Sequence, residues 1–110
     1  MKIQFKSKKL EKQLTESKEV VRCFGPMAKK VVQRMAELKA AENLNVMRTI
    51  PAARCHELYG VRKGQLAVDI SPNYRLIFQP ANEPIPLKDD GGLNWILITC
   101  IEIITTEDYH

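Results

Sequence analysis

The chain has 110 residues, of which 45% are hydrophobic and 27% charged, so length and composition predict one globular domain over residues 1–110 and exclude a disordered chain. The net charge is +4, but Met1 to Lys63 holds 15 Lys and Arg against 6 Asp and Glu, whereas residues 64–110 hold 2 against 7. This asymmetry favours a polyanionic partner for the basic part, with ordinary solvation of helix faces by lysines as the simpler alternative.

Targeting, membrane and cofactor signals are missing from the sequence. No run approaches the ~20 apolar residues of a membrane span, and the basic start MKIQFKSKKLEKQL has no apolar signal core. We therefore expect a cytoplasmic protein without a membrane partner. The three cysteines form no CxxC pair, which indicates reduced thiols. No glycine loop for phosphates, HExxH helix or GxSxG elbow occurs, so neither a cofactor nor a metal is expected.

The N-terminal part predicts a short strand followed by two helices. Ser7 offers an N-cap for a first helix that is only shallowly buried, and Gly25-Pro26 ends it and begins a second one. The apolar face of the second helix consists of Met27, Val31, Met35 and Leu38. Its opposite face carries Lys29, Lys30, Arg34 and Lys39. We expect this basic face to be solvated, or else to contact RNA or the ribosome.

A β-hairpin follows a short strand that begins at Cys55. Apolar residues alternate over 66–70 and again over 74–78, on either side of Ser71-Pro72-Asn73. A three-residue turn would place Leu66 opposite Phe78 and bury one apolar face under the helices. The same register puts Asp69 opposite Arg75 on the uncovered face, so a cross-strand ion pair is the structural alternative to a functional role for Arg75.

The C-terminal part predicts a long connection and a central strand. Residues 80–93 are rich in Pro, Gly and Asp, which is typical of a loop. Residues 95–104 are apolar at both alternating sets of positions, which predicts a strand buried on both faces, and the polar end TTEDYH is expected to leave it. Together the elements predict an α+β protein with two N-terminal helices on one face of a mostly antiparallel sheet.

Only two histidines are available for acid–base chemistry, His56 in the short strand and His110 at the end of the sequence. Taken alone, His56 is more often a structural residue, and His110 is more often part of a disordered tail. A metal site built from His56, His110, Asp108 and Cys55 is a further alternative, but the spacing of these residues is not that of known zinc motifs.

Several short motifs appear in the order found in one family. They are His56-Glu57-Leu58-Tyr59-Gly60, then Val61-Arg62-Lys63-Gly64-Gln65, then Asn73-Tyr74-Arg75-Leu76-Ile77-Phe78, and finally Asp108-Tyr109-His110. With the basic beginning FKSKKL, this pattern resembles the HigB branch of the RelE-like toxins of bacterial toxin–antitoxin systems. Each motif alone is weak, whereas their order and spacing over most of the chain are fairly specific.

The resemblance implies a RelE-like fold and a metal-independent endoribonuclease that cuts mRNA in the ribosomal A site and inhibits translation. Attack of a ribose 2′-OH on the adjacent phosphate needs a base, an acid and a donor for the phosphate oxygens. The residues implied as catalytic are His56, Arg75, Asp108, Tyr109 and His110. Those implied as RNA-binding are Tyr59, Arg62 and Lys63. Negative charge near His110 favours its imidazolium, which makes it the better candidate for the acid.

The resemblance also implies partners. These are a helix-turn-helix antitoxin similar to HigA, mRNA on the ribosome, and operator DNA through the antitoxin complex only. Two departures keep a second function open: many relatives have lysine at the position of Tyr59, and the loop after Phe78 is longer than usual. The alternative is a catalytically weak or inactive binding module of the same fold that acts through an antitoxin and DNA complex.

Overall fold

The computed structural model describes residues 1–108 and confirms the α+β class. The helices and strands are β1 (Lys2–Phe5), α1 (Lys8–Thr15), α2 (Ser17–Phe24), α3 (Ala28–Ala40), β2 (His56–Glu57), β3 (Leu66–Ser71), β4 (Tyr74–Pro80) and β5 (Cys100–Asp108). The short 3-10 helices are Gly25–Met27, Leu44–Thr49, Pro51–Ala53, Gly60–Arg62 and Trp95–Leu97. None of the helices in this part of the chain is long and apolar enough to cross a membrane.

One five-stranded sheet organises the fold. Its strands are ordered β1-β5-β4-β3-β2, and β1 runs parallel to β5 while the other neighbours are antiparallel. The mostly antiparallel sheet is therefore confirmed. Because β5 lies between β1 and β4, the first and last strands of the described chain are neighbours in this sheet.

The N-terminal helical region contains three α-helices, where the sequence predicted two. Ser7 caps α1 as expected, since its Oγ accepts a hydrogen bond from the backbone N–H of Leu10 at 3.1 Å. At Glu16 the backbone becomes extended, with φ −89° and ψ 122°, and this residue divides the predicted first helix into α1 and α2. Gly25 adopts φ +51° at the end of α2, and α3 begins at Ala28, after a 3-10 turn that contains Pro26.

The main core lies between the helices and one face of the sheet. Its fully buried side chains include Leu14, Leu38, Leu76, Phe78 and Ile101. Burying each such side chain contributes roughly 1.5–3 kcal/mol to the free energy of folding. The sheet therefore packs with this apolar face toward the helices. The opposite face carries only a small cluster of Leu58, Ala67 and Ile77 with Ile104 against it. Most of that face is therefore available for polar side chains.

The hairpin of β3 and β4 has the predicted register everywhere except at its tip. The pairs that form as expected are Leu66 with Phe78, Val68 with Leu76, and Asp69 with Arg75. At the tip Ser71 pairs with Tyr74, so the turn has two residues instead of three. A bulge between Asp69 and Ser71 takes up the extra residue, and this irregularity preserves the apolar register below it.

The apolar segment after the long loop differs from its prediction. Residues 95–97 form a 3-10 helix, and β5 begins only at Cys100. Ile96 and Leu97 are 62% and 57% exposed, so this segment is not a strand buried on both faces. Asn82 fixes the actual start of β5, because its Oδ1 accepts the backbone N–H groups of Thr99 and Cys100, each at 3.0 Å. The strand then continues through Asp108, where the sequence predicted a departing tail.

The sequence predicted that Arg34 lies on a helix face that is solvated or contacts RNA. In the structure Arg34 is buried instead, with only 2% of its surface exposed. Its Nε donates to the backbone carbonyl of Asp69 at 2.7 Å, and its Nη2 donates to that of Ala52 at 3.0 Å. Its Nη1 binds Glu37 Oε1 at 3.1 Å. A buried guanidinium is tolerated because all three nitrogen atoms have acceptors. Arg34 thereby joins α3 to β3 and to the turn at 51–53.

Candidate active site

A shallow cleft lies on the open face of the sheet and has a volume of about 470 Å³. Arg75 of β4 lies at the floor of the cleft. The strand register places Arg75 between Asp69 of β3 and Glu107 of β5. The cleft is lined by His56, Glu57, Leu58, Tyr59, Val61, Arg62, Arg75 and Glu107. Four residues implied by the sequence motifs are thus brought together here: His56, Tyr59, Arg62 and Arg75.

The carboxylate of Glu107 binds two guanidinium groups at the floor of the cleft. Arg75 donates to its Oε2 from Nε at 2.9 Å and from Nη2 at 2.6 Å. Arg62 donates to Oε1 from Nη2 at 3.2 Å and to Gln65 Oε1 from Nη1 at 3.0 Å. The two guanidinium groups share this one carboxylate, and with Glu57 also in the lining the cleft holds two arginines and two carboxylates.

The electrostatics of the cleft keep Glu107 ionised. The hydrogen bonds from Arg75 are the main reason that the pKa of Glu107 lies below its ordinary value. Partial burial opposes this effect, and Arg62 reinforces it. At neutral pH Glu107 is therefore a carboxylate and acts as a fixed internal counterion of both arginines.

Replacing Glu107 by Gln should lower the melting temperature at neutral pH and leave it nearly unchanged in acid. The folded-state pKa is depressed, so the stabilisation by the carboxylate is present above the ordinary pKa of 4.5 and disappears as the pH falls through the lowered value. Melting curves of the parent and Glu107→Gln proteins between neutral and acidic pH measure this difference. A gap in melting temperature that stays constant over the whole range would contradict the assignment.

Glu107 was not among the predicted site residues, because the last strand was predicted to end near residue 104. The signal that could have found it is the antiparallel pairing of β4 with a longer β5, which sets Arg75 opposite Glu107. The register prediction for Asp69 was correct, and Asp69 also binds Arg54, with the Nε of Arg54 at 2.7 Å from Oδ2. On the other side of β4, Arg75 forms an ion pair with Glu107 of β5.

His56 lies in the short edge strand β2 and pairs with Ala67 of β3. Its Nδ1 is 2.7 Å from the carbonyl oxygen of Arg54. A carbonyl oxygen can only accept, so Nδ1 carries a proton, and the neutral ring keeps its lone pair on Nε2. His56 therefore has the form required of a base, and as an imidazolium it could return the proton as an acid.

The neighbouring residue Glu57 anchors β2 to the rest of the protein. Its Oε2 accepts a hydrogen bond from Trp95 Nε1 at 3.0 Å, and the guanidinium carbon of Arg48 lies 3.9 Å from the centre of the Trp95 ring. A strand of only two residues needs such support, since its two backbone pairs alone would fray. The loop between β4 and β5 thus holds the strand that carries His56.

The remaining residues implied as RNA-binding lie at the edge of the cleft. Tyr59 is 86% exposed, so its ring is presented to solvent where a base could stack on it. Lys63 is exposed and follows the 3-10 turn that contains Arg62, but it does not line the cleft itself. It can add positive charge near the cleft without forming its floor.

The C-terminal motif is only partly within the described residues. Asp108 is exposed at the end of β5 and pairs with Tyr74. Since successive residues of a strand point to opposite faces, Asp108 lies on the face opposite to Glu107, and it does not line the cleft. Tyr109 and His110 lie outside the described residues, so their implied roles stay predictions, as does that of Asp108.

Cys55 was one of the ligands of the metal site considered from the sequence. Burial raises the pKa of its thiol to about 12, so the thiol is protonated at neutral pH. Within residues 1–108, no three His, Cys, Asp or Glu side chains are grouped so that they could hold a metal ion.

Comparison with known proteins identifies relatives of this sequence and fold. A family model described as the RelE-like toxin of the type II toxin–antitoxin system HigB matches residues 3–87, a range that contains His56 and Arg75 and ends before β5. No individual curated protein matches the sequence.

Three solved structures share the fold at low sequence identity. The YoeB/ParE toxin from Agrobacterium tumefaciens has a TM-score of 0.54 at 12% identity, with 100% of each chain covered. The YoeB-YefM complex from Staphylococcus aureus has a TM-score of 0.54 at 16% identity, covering 100% of this chain and 97% of that one. A mutant of YafQ from E. coli has a TM-score of 0.51 at 16% identity, covering 96% and 90%. These structures are evidence of a common fold.

Proposed function

Because the chain belongs to the HigB-like family of RelE-like type II toxins, we propose that it is a ribosome-dependent mRNA endonuclease that inhibits translation. The observation that supports this proposal is the cleft in which His56, Arg62 and Arg75 lie together on the open face of the sheet. This cleft offers an imidazole that could act as the base and two guanidinium groups that could donate to the phosphate oxygens in a cleavage without a metal.

In the proposed reaction a base removes the proton of a ribose 2′-OH as its oxygen attacks the adjacent phosphorus. The bond to the 5′-oxygen breaks, and an acid protonates this leaving group, so the products are a 2′,3′-cyclic phosphate and a 5′-hydroxyl. His56 Nε2 is our candidate for the base, and His110 stays the candidate for the acid. Arg75 would stabilise the negative charge on the phosphate oxygens, for which it must exchange Glu107 for the phosphate.

The proposed binding of RNA uses the rim as well as the floor of the cleft. Tyr59 would stack on a base, Arg62 and Lys63 would attract phosphates, and Tyr109 would contact the substrate. Asp108 would hold His110 in its charged form. The proposed partners are a HigA-like helix-turn-helix antitoxin, mRNA in the A site of cytoplasmic ribosomes, and operator DNA through the antitoxin complex. A solved complex of the same fold, YoeB-YefM, supports the expectation of a protein partner.

One observation favours the alternative of a weak or inactive binding module. Glu107 binds both guanidinium groups that a phosphate would need. Such a cleft binds an anion less strongly than one with two uncompensated arginines. In this alternative the chain keeps its antitoxin and DNA complex but does not cut RNA.

Induced expression followed by mapping of mRNA ends separates the two functions. We expect growth arrest, cleavage of translated mRNA, and fragments that end in 2′,3′-cyclic phosphate and begin with 5′-hydroxyl. The control is the same purified protein and mRNA without ribosomes, where we expect little cleavage. Intact mRNA in cells that express the chain without an antitoxin would support the binding module and contradict the endonuclease.

A further inference from the structure

The ring of His56 is held by an unusual backbone segment just before it in the chain. Its Nδ1 donates to the carbonyl oxygen of Arg54 at 2.7 Å. Arg54 has φ +43° and ψ 51°, the left-handed conformation that L-residues other than Gly, Asn and Asp seldom adopt. Arg54 also ends the 3-10 turn Pro51–Ala53, and its N–H donates to Pro51 O at 3.1 Å. The direction of its carbonyl thus depends on the left-handed conformation.

The side chain of Arg54 ties this segment to β3. Its Nε lies 2.7 Å from Asp69 Oδ2 and its Nη2 lies 3.3 Å from Asp69 Oδ1, so the contact is bidentate. The side chain of Asp69 is only 17% exposed, whereas that of Arg54 is 57% exposed. A bidentate ion pair fixes the orientation of both groups better than a single contact does, which matters more here than its contribution to stability.

The buried side chain of Arg34 binds both β3 and the segment that precedes Arg54. It donates to the backbone carbonyl of Asp69 and to that of Ala52, two residues before Arg54. The segment 52–54 is therefore attached to β3 at two points, one through the main chain and one through the Arg54 side chain. Arg34, Arg54 and Asp69 do not themselves line the cleft, although Asp69 pairs with the cleft residue Arg75 across the strands.

We infer that Arg54 and Asp69 are positioning residues that hold the Nδ1–H form of His56, so that its Nε2 carries the lone pair. The inference rests on the proposed function insofar as Nε2 of His56 is the base. Without the ion pair the left-handed segment relaxes, the carbonyl of Arg54 turns away, and the imidazole loses both its fixed orientation and its fixed tautomer. A displaced base slows catalysis by about 10- to 100-fold even when all catalytic groups are still present.

The test is the 15N spectrum of labelled imidazole groups at a pH where the rings are neutral. The His56 signals are assigned by their loss in His56→Gln. We expect the parent to show the Nδ1–H pattern, and Arg54→Gly and Asp69→Asn to show a mixture of tautomers. Glycine adopts the left-handed conformation without strain but can also leave it freely, so Arg54→Gly removes the side chain together with its restraint on the segment. Asp69→Asn retains the shape of the aspartate and serves as the second variant should Arg54→Gly fold poorly.

A matched control and a kinetic measurement complete the test. Arg22→Gly removes another exposed arginine, which forms an ion pair with Glu19 on α2, and should leave the His56 spectrum unchanged. In steady-state cleavage we expect kcat to fall by about 10- to 100-fold in both variants with little change in KM. An unchanged Nδ1–H pattern in both variants, or a rise in KM alone, would overturn the inference. If the parent cleaves no RNA, the proposed function fails, whereas the spectra still decide the inference about the tautomer.

Discussion

The His56→Gln protein should cleave mRNA about 10²- to 10⁴-fold more slowly than the parent, the range expected for loss of a general acid or base. Glutamine has a similar length, but it cannot accept and release a proton near neutral pH. The short strand should persist, because backbone bonds such as Leu58 N–H to Gln65 O at 2.9 Å do not depend on the imidazole. Single-turnover cleavage on programmed ribosomes measures the effect.

The matched control for His56→Gln is Gln79→Ala on the same face of the sheet. Gln79 binds Glu102 at 2.9 Å and does not line the cleft, so its replacement should leave the rate of cleavage unchanged. Equal melting temperatures of the parent and the His56→Gln protein would show that the fold is retained. A His56→Gln protein that cleaves mRNA as fast as the parent would remove His56 from the mechanism.

The Arg34→Met protein should lose about 3–5 kcal/mol of unfolding free energy, the cost expected when one partner of a buried charged network is removed. Methionine fills much of the space but cannot donate to the carbonyls of Asp69 and Ala52, and it leaves Glu37 without its 3.1 Å contact. Urea denaturation of parent and variant measures the loss, since the slope with urea should be similar for both.

The exposed arginine of α2 provides the comparison for Arg34. Arg22→Met removes an ion pair with Glu19 at a position where the arginine side chain is 67% exposed, so unfolding free energy should hardly change. Comparable losses in the two variants would contradict the structural role assigned to Arg34. A large loss for Arg34→Met alone would agree with its burial.

The parts of the fold that the sequence predicted correctly are those that the spacing of apolar residues determines. The alternation in β3 and β4 predicted the pairing of Asp69 with Arg75 correctly, because a shift by one residue would expose the apolar set. The two-residue turn with its bulge was not predictable from alternation, since the bulge changes the turn length without changing the register below it. The break between α1 and α2 at Glu16 was not predictable either, because the apolar residues around it show no corresponding change in spacing.

The candidate site was predictable only where its residues belonged to recognisable motifs. His56 and Arg75 were selected by resemblance and by strand register, and both line the cleft. Glu107 was missed because its role depends on how far β5 extends along β4. Arg34 was assigned to solvent because helical periodicity identifies apolar faces and does not reveal that a charged residue finds backbone acceptors in the interior.

The carboxylate of Glu107, which both arginines share, affects how strongly salt would weaken the affinity of the cleft for RNA. Affinity for a nucleic acid normally falls with salt because each protein cation releases a counterion from the phosphates. At this site a phosphate that binds Arg75 or Arg62 displaces an anion that belongs to the protein, so part of the exchange takes place within the chain. A count of the cations in the cleft would therefore overestimate the salt dependence of RNA binding, and rim residues such as Lys63 would account for a larger share of it.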